Sequence, residues 1–251
     1  MTQLRTAVFI VVPLSLLAAG CGSDQLYNYA WKIHSKERPA PVVVTPGIVD
    51  SAPPSDAIVL FDGTGLNAWE QSNGKPPHWK VENGYCEVVR KTGDIKTKQK
   101  FGDCQLHIEW ATPQVVKGDD QGRGNSGLFL MEKYELQILD SYNNDTYPDG
   151  QAGAIYGQRP PMVNVSREPG QWQSYDIIFR RPIFKGEKLV QPATITVLQN
   201  GVVVQDHWTI TGPTAHKNRK GYKPHPDKLS IMLQDHGDQT RYRNIWIREL
   251  D

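Results

Sequence analysis

Apolar and polar residues alternate with a period of two along most of the chain beyond residue 57. In Cys104-Gln105-Leu106-His107-Ile108-Glu109-Trp110, Leu106 and Ile108 fall on one face and His107 and Glu109 on the other. The same texture predicts strands over residues 58–61, 128–139, 174–180, 193–199, 202–207, 229–234 and 243–248. Asn200-Gly201, between two of these runs, is a strong hairpin signal because both residue types tolerate the positive φ angles of a type I′ turn. No stretch carries a helical stripe of any length. Many short strands over about 195 residues, with no internal repeat, predict one all-β domain, an antiparallel β-sandwich or jelly roll. Loops at 112–124, 141–170 and 211–226 are too long for simple connections and are expected to rim a site.

The N-terminus breaks this pattern. Arg5 precedes the apolar runs 7–12 and 14–17, which together are too short to span a bilayer and end in small residues. Leu17-Ala18-Ala19-Gly20-Cys21 resembles the bacterial lipobox, so residues 1–20 are expected to be a signal peptide and Cys21 the lipid-bearing first residue. Several acyl chains, at about 0.8 kcal/mol per buried methylene, would make a durable membrane anchor. Gly22 in place of Asp would favour the outer membrane in a Gram-negative cell, and the expected location is the cell envelope. Residues 21–56 read as a tether interrupted by Pro39, Pro41, Pro53 and Pro54. Tyr27, Tyr29 and Trp31 are unusual for a linker, so part of it is expected to pack on the domain at 57–251.

Charge narrows the choice of partner. The chain has 28 Lys+Arg against 27 Asp+Glu, and losing Arg5 with the signal peptide leaves the signs balanced. That balance argues against nucleic acid as a partner. Of the three cysteines, Cys86 and Cys104 lie in the domain without metal-ligand spacing. In an exported protein such a pair reads as a disulfide, worth about 3 kcal/mol for a loop of this size, with a buried free pair as the alternative.

Gly122-Arg123-Gly124-Asn125-Ser126-Gly127 matches a dinucleotide fingerprint in letters only. Polar residues precede it and a strand follows, where that motif needs a strand before and a helix after. Its glycines are expected instead to let a loop pass close to a ligand or to its own backbone. In Tyr134-Glu135-Leu136-Gln137-Ile138-Leu139-Asp140, Glu135 and Gln137 share a strand face, and Asp140 joins them only if a β-bulge intervenes. Together they would form an acid/base platform; a solvated strand face is the alternative. In Ile231-Met232-Leu233-Gln234-Asp235-His236, Gln234 and His236 share a face, and His236 is a candidate proton shuttle. Arg123, Asn125, Tyr156 and Arg243 complete the expected substrate-binding set. The tryptophans are read mostly as packing residues, with sugar stacking as a possible role for some.

Several motifs resemble the 3-keto-disaccharide hydrolase domain family. Phe61-Asp62-Gly63-Thr64-Gly65-Leu66-Asn67-Ala68-Trp69 opens the match. Thr92-Gly93-Asp94-Ile95-Lys96-Thr97-Lys98, Asn125-Ser126-Gly127-Leu128-Phe129-Leu130, Trp172-Gln173-Ser174-Tyr175-Asp176 and Leu233-Gln234-Asp235-His236-Gly237 follow in order, and Arg243-Asn244-Ile245-Trp246 closes it. The resemblance implies a concanavalin A-like jelly roll and an enzyme acting on a carbohydrate. Glucanases of that fold carry E-x-D-x-x-E, and here the spacing survives as Glu135, Gln137 and Asp140. A retaining mechanism wants carboxylates about 5–5.5 Å apart, which the shorter Asp140 disfavours.

A ketone at C3 of a sugar opens another route, because it acidifies the C2 hydrogen. Proton removal, expulsion of the anomeric substituent and hydration then amount to hydrolysis. On this expectation His236 or Glu135 is the base and Asp140 the acid, while Gln137, Gln234 and Arg243 hold hydroxyls or the enolate oxygen. No cofactor is assigned; a divalent cation held by Asp and Glu oxygens is an alternative oxyanion donor. A conventional glucanase-like hydrolase and a non-catalytic carbohydrate-binding module are the competing readings.

Overall fold

The alternation seen in the sequence folds into seventeen strands in the computed structural model, which describes residues 31–40, 42–43 and 52–250. In chain order they are β1 (Val42–Val43), β2 (Ile58–Phe61), β3 (Trp69–Gln71), β4 (Lys80–Glu82), β5 (Tyr85–Glu87), β6 (Ile95–Thr97), β7 (Cys104–Ala111), β8 (Ser126–Leu130) and β9 (Tyr134–Ile138). There follow β10 (Val163–Asn164), β11 (Gln173–Arg180), β12 (Ile183–Lys185), β13 (Lys188–Gln191), β14 (Thr194–Gln199), β15 (Val202–Thr209), β16 (Met232–Leu233) and β17 (Arg241–Glu249). Among the described residues, helix is confined to two 3-10 turns, Asp120–Gly122 and Pro148–Gly150. Cys21 and the expected signal peptide lie outside the described residues.

One antiparallel sheet runs β15-β14-β11-β7-β17-β5-β4, with β2 also paired to β17; a second runs β3-β6-β16-β8-β9. Leu106, Ile108 and Trp110 of β7 and Tyr175, Ile177 and Phe179 of β11 face Leu128, Leu130, Tyr134, Leu136 and Ile138 of the smaller sheet across one buried core. This is the expected antiparallel β-sandwich of jelly-roll type. Two hydroxyls cross the core to fix the smaller sheet. Tyr175 Oη donates to the Gln137 carbonyl at 2.7 Å, and Tyr242 Oη shares a 2.6 Å hydrogen bond with Ser126 Oγ.

Three local expectations change. Residues 128–139 are not one strand but the β8–β9 hairpin, turning through Met131 and Glu132, both at φ +55°. Neither residue type advertises a left-handed turn, so the pattern hid it. The Asn200-Gly201 hairpin does form, with φ +53° and +81°. Cys86 and Cys104 are both free and buried, which corrects the expected disulfide. β17 lies between their strands, and Cys86 stands opposite Tyr242 while Cys104 stands opposite Glu249, seven residues further along. Two strand spacings alone separate the cysteines by about 9.6 Å, beyond the reach of a disulfide.

Candidate active site

Glu135 and Gln137 project from the same face of β9, away from the core. The β8–β9 register runs without a bulge, setting Phe129 opposite Glu135 and Gly127 opposite Gln137. Gly127 is required here. A Cβ at that position would lie 2.6 Å from Glu135 Oε1 and 2.8 Å from Phe129 Cε2, so only a bare backbone lets Glu135 lie across β8. The glycine-rich run therefore makes room for a side chain and for its own loop. Gly124, at φ +59°, likewise sits against Thr112 and Asp140.

A cavity of about 280 Å³ opens over this face. Six residues picked out in the sequence line it: Asn125, Glu135, Gln137, Tyr156, Gln234 and His236. Phe129, Thr214, Ala215 and His216 complete the wall. Thr214 Oγ1 accepts the Glu135 backbone N–H at 3.0 Å, and the Tyr156 N–H donates to the Glu135 carbonyl at 3.2 Å. The loops at 141–170 and 211–226 are thereby pinned to β9. Gln234 enters from the end of β16, where its N–H donates to the Gly127 carbonyl and its carbonyl accepts Ser126 Oγ.

Glu135 is the carboxylate among the lining residues, and it is 7% exposed. Burial, with a smaller contribution from the charge of Asp94, raises its pKa to about 8. At neutral pH it is a protonated acid. With its nitrogen turned towards the sheet, the Gln137 carboxamide donates to the Ser126 carbonyl at 2.9 Å and to Glu135 Oε1 at 3.2 Å. Turned the other way, it donates to Gln121 Oε1 at 3.0 Å. Tyr156 Oη lies 2.9 Å from Tyr147 Oη and 3.1 Å from His216 Nδ1. Burial raises the Tyr156 pKa, which keeps the phenol protonated as a donor. Burial and the neighbouring His34 and Lys217 charges lower that of His216, favouring its neutral imidazole. Gln234 Oε1 is buried without a protein partner, an acceptor left open to a ligand hydroxyl.

The remaining expected site residues go elsewhere. The chain leaves β9 after Ile138 with no bulge, so Asp140 does not join the Glu135 face. It pairs instead with Arg123 at 2.6 Å, accepts the Tyr142 N–H and, with Arg123, lines a separate cleft of about 380 Å³. Arg243 lies on the outer face of the large sheet, where it pairs with Glu109 at 2.6 Å and stacks over Trp172. A pleated strand cannot send both its core and outer positions to the other sheet's concave side. Trp69, Trp79, Trp110, Trp208 and Trp246 are buried, and the cavity's aromatic wall is Phe129 and Tyr156 instead. Among the described residues, no group of three or more His, Cys, Asp or Glu side chains is placed to hold a metal ion.

Sequence reasoning passed over Asp94, Gln121 and His216. Asp94 accepts the Asp235 N–H at 2.8 Å and acts electrostatically on both Glu135 and His236. It stands in one of the family motifs, and that was its available signal. Gln121 bonds to Asn125, Gln137, Thr146 and Gly150 together. His216 falls in a loop expected to rim the site, but nothing local distinguishes it.

The sandwich is shared with known proteins. A family model described as the 3-keto-alpha-glucoside-1,2-lyase-like domain matches residues 56–248. The chain belongs to that family, and the resemblance read from its motifs holds, with the hydrolase class it implied. A 3-keto-disaccharide hydrolase of Bacteroides thetaiotaomicron is 25% identical over 247 residues, covering 77% of this chain and 78% of the relative. A solved structure from Parabacteroides distasonis, named a "putative glycosyl hydrolase", is 50% identical with a TM-score of 0.78, covering 85% of this chain and 93% of its own. A second structure of the same description and organism, 24% identical with a TM-score of 0.56 over 77% of this chain and 99% of its own, shares the fold.

Proposed function

We propose that the chain cleaves 3-keto-glycosides by proton abstraction at C2, elimination of the anomeric substituent and hydration. The observation that carries this reading is a single buried carboxyl, its pKa raised by burial to about 8, which lines one small cavity together with the His236 imidazole. Double displacement needs two carboxylates flanking the bond, and the second candidate, Asp140, is held by Arg123 outside this cavity.

His236 takes the C2 proton, and its electrons form the enolate of the C3 ketone. Tyr156 Oη or the Gln137 amide donates to the enolate oxygen, stabilising charge where it develops. Collapse of the enolate breaks the C1–O bond, and Glu135 protonates the departing oxygen. Glu135, now ionised, takes a proton from water as its hydroxyl adds to C1, and the His236 imidazolium returns a proton to C2, which restores both groups. Asn125 and Gln234 hold ring hydroxyls. Burial, with the Asp94 charge as the smaller cause, keeps Glu135 protonated. The lipobox-like sequence ending at Cys21 supports placing this activity at a bacterial cell envelope.

Incubation with a 3-keto-disaccharide beside its unoxidised parent tests the reading. Cleavage of the ketone alone, with exchange of the C2 hydrogen for solvent deuterium, is expected. Equal cleavage of the parent would overturn it in favour of conventional hydrolysis, and binding of either sugar without turnover would leave a carbohydrate-binding module. Glu135→Gln and His236→Ala are each expected to lower kcat at least a hundredfold, in the range of a lost general acid or base.

A further inference from the structure

The segment read as tether does not simply lead to the domain. Residues Trp31–Ala40 precede the matched family region, yet the His34 side chain is 4% exposed and Arg38 is 2% exposed. Both converge on Asp149, which is fully buried in the long loop at 141–170. Arg38 Nη1 lies 3.4 Å from Asp149 Oδ2, and His34 Nδ1 lies 3.6 Å from Asp149 Oδ1. The His34 ring is wedged among three others, with centroids 3.9 Å from Tyr147, 5.3 Å from Tyr156 and 5.0 Å from His216, the last of these stacked. The Lys217 N–H donates to His34 Nε2 at 3.3 Å, and β1 pairs with β10 beyond the segment. His34 has φ +62°, a conformation a histidine seldom adopts and one that tight docking can maintain.

Tyr156 and His216 are wall residues of the cavity, and they share a solvent-exposed 3.1 Å contact. They come from two different long loops. The loops also meet through Gln158, bonded to Thr211 and Gly212, and through Arg219 on the Gly157 carbonyl; His34 adds a ring contact to both Tyr156 and His216 at the cavity wall itself. We propose that residues 31–40 are a strap that completes the candidate active site, with His34 as a positioning residue that fixes Tyr156 and His216 against the bound sugar. The inference rests on the cavity being the site of glycoside cleavage. It adds that the functional unit begins near Trp31, well before the matched family region.

A wall already ordered spares the substrate the cost of ordering it. Freeing two side chains is expected to raise KM about tenfold, with a smaller fall in kcat because Tyr156 also faces the developing enolate oxygen. The full chain is tested as His34→Ala and His34→Phe on a 3-keto-disaccharide, alongside Glu135→Gln as a site control. The tenfold rise in KM is expected in His34→Ala, with recovery to within about twofold in His34→Phe, because the ring and not its charge fills the wedge. Amide hydrogen exchange over residues 31–40 of the wild type is expected to be slow, since Ser35 and Arg38 N–H groups are bonded within the strap.

An unchanged KM in His34→Ala overturns the proposal, as does an equal loss in both His34 variants. Fast exchange over 31–40 in the wild type overturns it even if His34→Ala fails to fold. Full activity in Glu135→Gln would instead discard the assignment of the site, and slow exchange would then still show that the strap docks.

Discussion

In Glu135→Gln a buried carboxylic acid is exchanged for its uncharged isostere, which separates what the group does for catalysis from what it costs the fold. Folding moves the Glu135 carboxyl from an ordinary 4.5 to about 8, chiefly by burial and secondarily through Asp94. An acid raised in this way binds more protons native than unfolded. Wild-type stability therefore falls as pH climbs from 4.5 and levels off above 8. At 1.36 kcal/mol for each tenfold change, the penalty is about 3 kcal/mol at pH 7 and about 5 kcal/mol above pH 8. Glutamine cannot ionise and escapes it. Its extra amide hydrogen needs an acceptor in the cavity, at a cost of about 1 kcal/mol. The variant is thus expected to be about 2 kcal/mol more stable at pH 7 and about 4 above pH 8, yet slightly less stable near pH 4. Denaturant unfolding of both proteins at pH 4, 7 and 9 measures the difference. A stability difference that stays constant across that range would refute the raised pKa and, with it, the protonated-acid role of Glu135.

The remaining predictions concern the supports around the site. On the outer face of the large sheet, burial pulls the His107 pKa down, but Asp176 at 2.7 Å and Glu109 outweigh it and hold it at about 9. The resulting stabilisation is complete below pH 6.5 and lost as pH rises through about 9. His107→Gln is expected to flatten that part of a stability-versus-pH curve, and an unchanged slope would count against the pairing. Arg243→Ala leaves Glu109 without its closest charge partner; because Arg243 is 39% exposed, the expected loss is about 1–2 kcal/mol, read by denaturant unfolding. Its kcat/KM should stay within about twofold, and a hundredfold loss would return Arg243 to the site. Gly127→Ala drives a methyl against Glu135 and Phe129, so at least a tenfold fall in kcat and a destabilisation of about 1–3 kcal/mol are expected from kinetics and melting. Wild-type turnover in that variant would mean that Glu135 need not cross β8.

The fold was legible in the sequence because strand periodicity is a local property. Each of the runs around Leu106, Ile177 and Val197 states its own core face, and Asn200-Gly201 states its own turn. Of the site, the alternation determined that Glu135 and Gln137 share a face and that Gln234 and His236 share another. Joining those two faces needed the family motifs. Whether Asp140 belonged with them depended on a bulge that no residue pattern specifies, and in the structure the strand ends first.

Tertiary structure alone decided the rest. Inside and outside of a sheet are relative terms until the second sheet is placed, which is why Arg243 and Glu135 came to opposite faces of the sandwich. The separation of Cys86 from Cys104 by β17 is a matter of strand order, set by the last strand folding back between two early ones. The acidity of Glu135 likewise arises from burial by loops about eighty and a hundred residues further along the chain and from Asp94 far before it in sequence. A short apolar or polar pattern records which way a side chain points. What it will meet there is fixed only when distant segments pack.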